Sequence, residues 1–261
     1  MQERNLYTSC PLCESKNIFA TVMGECSAHV LYNKTLSPLI QWFECSDCSH
    51  VFTEGYYTDD ACEVLFRKTN DEQKVGADIE KIRPLSSRMI EKVLPYQSTG
   101  IWLDVGFGNG SLLFTAEEYG FKPIGLDLRA NNVKVMQSLG IESYCEDITN
   151  LRLENKCSVI SMADVLEHMP YPKKGLIATN KLLNKKGILL LSMPNIENIL
   201  WRAMTEQNQN PYWGEMEHYH NFSRTRLYAL LRELGFEPLR YGISERYRVC
   251  MEILAIKMND I

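Results

Sequence analysis

One short segment restricts what this chain can fold into: Asp104-Val105-Gly106-Phe107-Gly108-Asn109-Gly110. It follows a strand-like run at 101–105 and precedes a helix-like run that begins near Ser111. Glycines at three alternating positions permit a tight turn and a close approach of backbone to a ligand. The amide end of the helix that follows favours an electronegative group. Dinucleotide-binding loops space their glycines as Gly-x-Gly-x-x-Gly. Here the third glycine comes one residue early, and an acid, Asp104, sits inside the end of the strand. No Gly-Lys-Ser/Thr follows, which excludes a P-loop. The segment reads as a nucleotide-cofactor loop on the edge of an α/β sheet.

The rest of the second part of the chain fits that sheet. Strands are expected at 101–105, 123–127, 143–146, 157–163 and 187–193, and helices at 111–118, 131–139, 173–183 and 223–234. Alternating strands and helices imply parallel strands covered on both faces. Residues 236–241 and 249–257 close the chain as strands, and the short link between them suits a hairpin, so one of the two runs antiparallel. Four successive strand ends carry acids: Asp104, Asp127, Glu146 with Asp147, and Asp164. All fall on the carboxyl edge of the sheet, where open α/β folds bind ligands. Asp127, 17 residues past Gly110, is placed to take both ribose hydroxyls of an adenosine. Any one of these acids alone reads as a solvated loop residue.

Together these segments resemble the class I S-adenosylmethionine-dependent methyltransferases. Leu103 through Gly110 is similar to their first motif, and Gly125-Leu126-Asp127 to their ribose-binding motif. Glu146-Asp147-Ile148 resembles the segment whose acid contacts the adenine amine. Asp164-Val165-Leu166-Glu167-His168-Met169-Pro170, Pro194-Asn195 and His220-Asn221-Phe222-Ser223 resemble the small-molecule branch. The resemblance covers about residues 84–257. It implies a Rossmann-like, seven-stranded, mostly parallel sheet whose last strand is antiparallel, and S-adenosyl-L-methionine as methyl donor. Gly106, Phe107, Gly108 and Gly110 then face the methionine end, with Asp104 organising amides or the ammonium group. Asp127 holds the ribose, Asp147 accepts from the adenine amine with Ile148 alongside, and Leu128 and Met162 wall the ring. Asp164 and His168 complete the expected cofactor edge.

The first part of the chain differs. Residues 6–60 read as short strands and turns around two pairs, Cys10-x-x-Cys13 and Cys45-x-x-Cys48, separated by 31 residues. Four thiolates at this spacing suit one tetrahedral structural zinc, with iron the lesser alternative and a redox dithiol the competing reading of an isolated pair. The expected arrangement is a small zinc ribbon over residues 1–60. A helical connector covers 61–97, with helices at 61–75 and 78–94. The methyltransferase domain covers 98–261, with a lid inserted at about 196–221. His50 is a spare ligand candidate. Similar N-terminal ribbons occur on sugar-modifying and natural-product methyltransferases, which points to carbohydrate, lipopolysaccharide-type or natural-product acceptors.

For catalysis the candidates are His168, His218 and His220, since an imidazole can take an acceptor proton near neutrality. The histidines at 218 and 220 lie in a stretch, 213–222, dense in aromatic and acidic groups. Arg246 and Arg248 are candidates for a phosphate or carboxylate. The formal net charge of -5 disfavours a nucleic-acid partner. No apolar run suits a signal peptide or membrane span, so a cytoplasmic monomer or homodimer acting on a small molecule is expected. Two other classes compete: a nicotinamide-dependent oxidoreductase, and a non-catalytic zinc-ribbon adaptor that retains a cofactor domain.

Overall fold

Short strands broken by turn residues occupy the first sixty positions: β1 (Arg4–Leu6), β2 (Ile18–Glu25), β3 (Leu39–Cys45), β4 (Val51–Thr53) and β5 (Gly55–Tyr57). Helices α1 (Asp59–Phe66) and α2 (Ile79–Val93) follow. Strands and helices then alternate: β6 (Gly100–Val105), α3 (Ser111–Glu118), β7 (Phe121–Leu126), α4 (Ala130–Ser138), β8 (Glu142–Tyr144), β9 (Cys157–Ala163), α5 (Pro172–Leu182) and β10 (Leu183–Pro194). The chain closes with α6 (Ile199–Glu206), β11 (His220–Asn221), α7 (Arg224–Glu233), β12 (Phe236–Ile243) and β13 (Cys250–Lys257). This computed structural model describes residues 3–66, 73–247 and 249–261.

The elements form two units. One holds the described residues up to 66 together with 166–173 and 194–227; the other holds 73–165, 174–193 and the described residues from 228 onward. The segment 196–221 thus carries α6 and β11 and clusters with the cysteine-rich part of the chain. Part of the expected helix 61–75 lies outside the described residues, and 73–75 is not α-helical.

In the second unit the sheet order is β8-β7-β6-β9-β10-β13-β12. The pairs β8–β7, β7–β6, β6–β9 and β9–β10 are parallel, and β12 pairs antiparallel with β13. The short link between the last two strands permits only that reversal. Strand order turns around between β6 and β9, so the loop after β6 lies at the topological switch point of the sheet. β9 and residues 187–194 of β10 are buried almost throughout, as continuous apolar strands between helix layers are. β10 starts earlier than the apolar run alone suggested. Its register against β9 slips between Leu183 and Ile188, which takes Asn184 to Gly187 into the strand. On one face Met89, Ile90, Val93, Trp102, Leu112 and Phe121 pack into a core cluster.

The first unit is built on a four-stranded antiparallel sheet, β11-β4-β3-β2. Trp42 of β3 is fully buried and its Nε1 donates to the Trp213 carbonyl at 2.8 Å. Gly24 of β2 permits that approach, because a Cβ there would lie 1.8 Å from the same oxygen. Among the described residues no helix is long and apolar enough to cross a membrane.

A buried lysine joins the chain end to the sheet unit. Lys257 is 1% exposed, and its Nζ donates to the carbonyls of Asn180 (2.6 Å), in the last turn of α5, and of Leu183 (2.9 Å), the first residue of β10. A cation suits carbonyls that lack helical partners. Lys257→Met keeps the stem but removes the donors, and is expected to cost about 2 kcal/mol and lower Tm by roughly 5 °C. A thermal melt that matches the parent would refute this role.

Candidate functional site

β6 ends at Val105, and the chain must reverse at once to enter α3. Gly106, Gly108 and Gly110 take φ of 68°, 57° and 82°, in the left-handed region that side chains resist. Gly110 is the N-cap of α3, and a Cβ there would meet the Phe114 ring at 2.9 Å. The early third glycine is therefore the residue that starts the helix. Phe107 is buried in a cluster with Leu113, Val133, Met136 and Ile141, which fixes the loop onto the sheet.

Beneath the loop runs a buried hydrogen-bond chain. Trp102 Nε1 donates to Ser161 Oγ (2.8 Å), and Ser161 Oγ donates to Asp104 Oδ1 (2.6 Å). Burial pushes the Asp104 carboxyl up to about 7, and the Asp127 charge adds to the rise. The Ser161 hydrogen bond and the Arg246 charge oppose it.

Asp127 is committed on both oxygens. It accepts from the Gly108 amide (3.2 Å), from the Arg129 amide and Nε (both 2.9 Å), and from the Arg129 guanidinium terminus (2.7 Å). Two asparagines strap residues 73–77 to the same loop. Asn109 Nδ2 donates to the Ala77 carbonyl (2.7 Å) while the Gly76 amide donates to the Asn109 carbonyl (3.0 Å). Asn132 Nδ2 donates to the carbonyls of Gln73 (2.8 Å) and Gly108 (3.1 Å). Asn109, Arg129 and Asn132 were not singled out from the sequence. Their only signal was a side chain able to both give and accept, or a fork able to hold a carboxylate, beside the glycine loop or Asp127.

The other expected cofactor residues occupy varied environments. Asp147 accepts from the amide (2.8 Å) and hydroxyl (2.6 Å) of Thr149 in an Asx turn. Leu128 is 73% exposed, whereas Ile148 and Met162 are buried. Asp164 follows β9 with φ 59°, accepts from Ser192 Oγ (3.1 Å) and pairs with Arg246 (3.3 Å). Burial raises its carboxyl while Arg246 pulls the other way. Arg248 lies outside the described residues.

In the first unit Cys10, Cys13, Cys45 and Cys48 converge. Sγ atoms of Cys10 and Cys48, and of Cys13 and Cys45, are 3.6 Å apart, and all four lie within 4.8 Å of one another. A tetrahedral zinc with about 2.3 Å bonds has sulfur–sulfur edges of roughly 3.8 Å. Both knuckles repeat one pattern. The amides of Glu14 and Ser49 donate to the carbonyls of Cys10 and Cys45, and the amides of Cys10 and Cys45 donate to Ser15 and His50. Glu14 and Ser49, each one residue past the second cysteine, have φ of 64° and 55°. Asp47 ties one knuckle to the other by accepting from Ser15 Oγ (2.6 Å) and Asn17 Nδ2 (3.1 Å).

The histidines of this unit form two pairs. His50 Nε2 lies 3.0 Å from His220 Nδ1, so His50 partners another histidine. Both rings are fully buried. Desolvation brings His220 down to about 3 and His50 well below its ordinary value. His168 and His218 meet edge to face at 4.7 Å, and burial lowers both. All four imidazoles are neutral at pH 7. His29 differs: its hydrogen bond to Glu215 raises it above its ordinary value.

The switch-point glycine loop, the strand order and the acids on the carboxyl edge define a class I S-adenosylmethionine-dependent methyltransferase fold. Residues 78–241 match the family model described as a methyltransferase domain, more than half of the chain, and the protein belongs to that family. It is an S-adenosylmethionine-dependent methyltransferase. No curated protein sequence matches it. Solved structures share the fold at low identity. The 1,6-didemethyltoxoflavin-N1-methyltransferase of Burkholderia thailandensis, with bound 1,6-didemethyltoxoflavin and S-adenosylhomocysteine, is 16% identical with TM-score 0.58, over 83% of this chain and 99% of that one. The magnesium protoporphyrin IX methyltransferase of Synechocystis PCC 6803 is 18% identical with TM-score 0.54, over 69% and 84%. An N-methyltransferase of Bradyrhizobium japonicum with S-adenosylhomocysteine is 14% identical with TM-score 0.52, over 73% and 94%.

Asp104 sets a pH dependence. Its folded value near 7 lies above the ordinary carboxylate range, so between about pH 4 and 7 the folded chain holds a proton that the unfolded chain releases. Stability from this group therefore falls as pH rises through that window. Asp104→Asn is expected to stabilise the ligand-free protein by roughly 1–3 kcal/mol at pH 8 and hardly at all at pH 4. Urea midpoints at the two pH values test this; an equal offset at both would exclude it.

Proposed function

We propose that the enzyme methylates a small polar acceptor, such as a sugar, a nucleotide sugar or a natural product, and that its four clustered cysteines hold a structural zinc. The observation that carries the methyl-donor part of this reading is the buried Asp104 carboxyl beneath a left-handed glycine loop, with Asp127 following the neighbouring strand; the acceptor class rests on the cysteine-rich unit and the 196–221 segment. Bound S-adenosylmethionine supplies an electrophilic methyl group on a sulfonium. The residues present fit that group. A carboxylate whose burial disfavours its charge gains from a nearby ammonium. The loop leaves room for close backbone approach, and exposed Leu128 offers an apolar face for a purine. Asp127 would take the ribose hydroxyls, with Arg129 turning aside, and Asp147 the adenine amine.

Methyl transfer mostly requires alignment, and a base is needed only when the acceptor carries a proton. Of the three histidine candidates, His220 is paired with His50 and brought by burial down to about 3, which makes it a weak base; His168 and His218 are neutral imidazoles apart from that pair and are the better placed for the task. The small-molecule reading draws support from the structural relatives, one bound to 1,6-didemethyltoxoflavin and another named a magnesium protoporphyrin IX methyltransferase. Two sulfur–sulfur edges of 3.6 Å, with all four sulfurs within 4.8 Å, support zinc, and a reducing compartment such as the cytoplasm keeps thiols available for it. The acidic net charge supports an acceptor other than nucleic acid. A monomer or homodimer is the expected assembly.

Calorimetry on the intact protein is expected to show S-adenosylmethionine binding that weakens at least about tenfold in Asp127→Ala, and no heat with nicotinamide dinucleotides. Absence of binding to the parent protein would overturn the cofactor assignment. Metal analysis is expected to find zinc, with one equivalent per chain lost in Cys45→Ser. Zinc content unchanged by that substitution would remove the ribbon.

A further inference from the structure

We propose that Glu167, His168 and His218 form a further metal site, which takes a first-row divalent transition cation through one carboxylate oxygen and two imidazole nitrogens. The assignment is independent of the methyl donor and of the acceptor. Glu167 and His168 come from a 3-10 turn, Leu166–His168, and His218 from the loop before β11. One ligand atom from each lies within 4.8 Å of the others. A cation with bonds of about 2.0–2.2 Å to nitrogen and oxygen needs donors roughly 3–4 Å apart, so small side-chain rotations complete the set.

The hydrogen bonding around the rings leaves nitrogens for a cation. His168 Nδ1 lies 2.9 Å from the Glu217 carbonyl oxygen. A carbonyl can only accept, so Nδ1 carries the proton and Nε2 keeps its lone pair. Metal-binding histidines make this outward bond as a rule. His218 is 8% exposed, and its Nδ1 has no hydrogen-bond partner among the described residues. A buried ring nitrogen in that state costs free energy that a ligand would recover.

The backbone around the three residues is tied down. The Tyr219 amide donates to the Glu167 carbonyl (2.9 Å), and the His218 amide to the Glu215 carbonyl (3.3 Å). The Glu215 side chain is held by His29, whose Nδ1 accepts from the Leu31 amide (3.2 Å) and whose Nε2 is therefore the donor. A loop fixed at both ends presents its ligands without large reorganisation. Two imidazoles with one carboxylate suit zinc, iron(II), cobalt(II) or nickel(II) over magnesium or calcium. Three protein ligands leave positions open to water or to an oxygen-bearing molecule. His168 and His218 would then act as ligands, and a cation-bound water would stand in for a free imidazole as base.

The test uses the full chain with its cysteine cluster saturated with zinc, titrated with Co2+ and followed by calorimetry and visible spectroscopy. One further equivalent is expected, with d–d bands but without thiolate-to-cobalt charge transfer. Its affinity should fall more than about tenfold in Glu167→Gln and in His218→Ala. Ring-nitrogen NMR on the unmutated, 15N-histidine-labelled protein guards against misfolded variants. Co2+ should displace two histidine ring signals strongly and leave those of the His50–His220 pair in place. Three results would each overturn the site: no Co2+ bound beyond the zinc equivalent, binding unchanged in both variants, or paramagnetic shifts centred on His50 and His220.

Discussion

A carboxylate held in the dry end of a central strand is the interaction on which the cofactor edge depends. Asp104 sits on β6, at the point where strand order reverses, and is bonded through Ser161 of the neighbouring β9 to the Trp102 indole. That chain joins the two strands that flank the switch point. It also leaves an acid where water cannot solvate it, so the acid must hold a proton or find a cation. A sequence that places Asp inside a strand end gives up stability there unless a ligand returns it. That cost is the physical reason the proposed methyl-donor site is centred on this strand end, since an apolar residue would pack the same space more cheaply.

The glycine loop above it is held from several directions. Phe107 anchors it in the core, Gly110 starts α3, and Asp127 receives its Gly108 amide. Asn109 and Asn132 add residues 73–77 to the assembly through backbone carbonyls. Each of these contacts fixes backbone, and the amides of Gly106, Gly108 and Gly110 are themselves bonded, to the Leu126 carbonyl, Asp127 and the Phe107 carbonyl. A turn held in this way needs little reordering before it meets a ligand.

Much of this was legible in the chain because its signals are local. A continuous apolar run bounded by turns defines β9 at Cys157–Ala163, and glycine followed by an apolar period defines α3 at Ser111–Glu118. Cysteine spacing alone located the four-cysteine cluster, since each knuckle is a short closed turn. The features that stayed hidden depend on partners distant in sequence. Arg129 on Asp127 is close in sequence, yet its fork could equally have faced solvent. Asn109 reaches Ala77 over 32 residues and Asn132 reaches Gln73 over 59. The slip that lengthens β10 comes from register against β9, and no periodicity within Leu183–Pro194 records it.

The histidines show the same limit, with a chemical consequence. His218 and His220 share an extended-looking stretch, and a spacing of two suggests one face and one pocket. The structure separates them because regular strand geometry begins only at His220, where β11 pairs with β4. His220 is thereby carried against His50, and two neutral rings share one hydrogen bond inside an aromatic shell of Phe52, Phe222 and Tyr7. His218, still in the loop, turns to His168 instead, beside the buried Glu167. The first pair shares one hydrogen bond and is packed on aromatic rings of the first unit, with its outer nitrogens, His50 Nδ1 and His220 Nε2, buried. The second brings nitrogen donors together with a carboxylate, an arrangement that serves ligand chemistry better than packing. A spacing of two residues thus sends one histidine into a packed pair and the other beside Glu167 and His168, and the register of a two-residue strand decides which goes where.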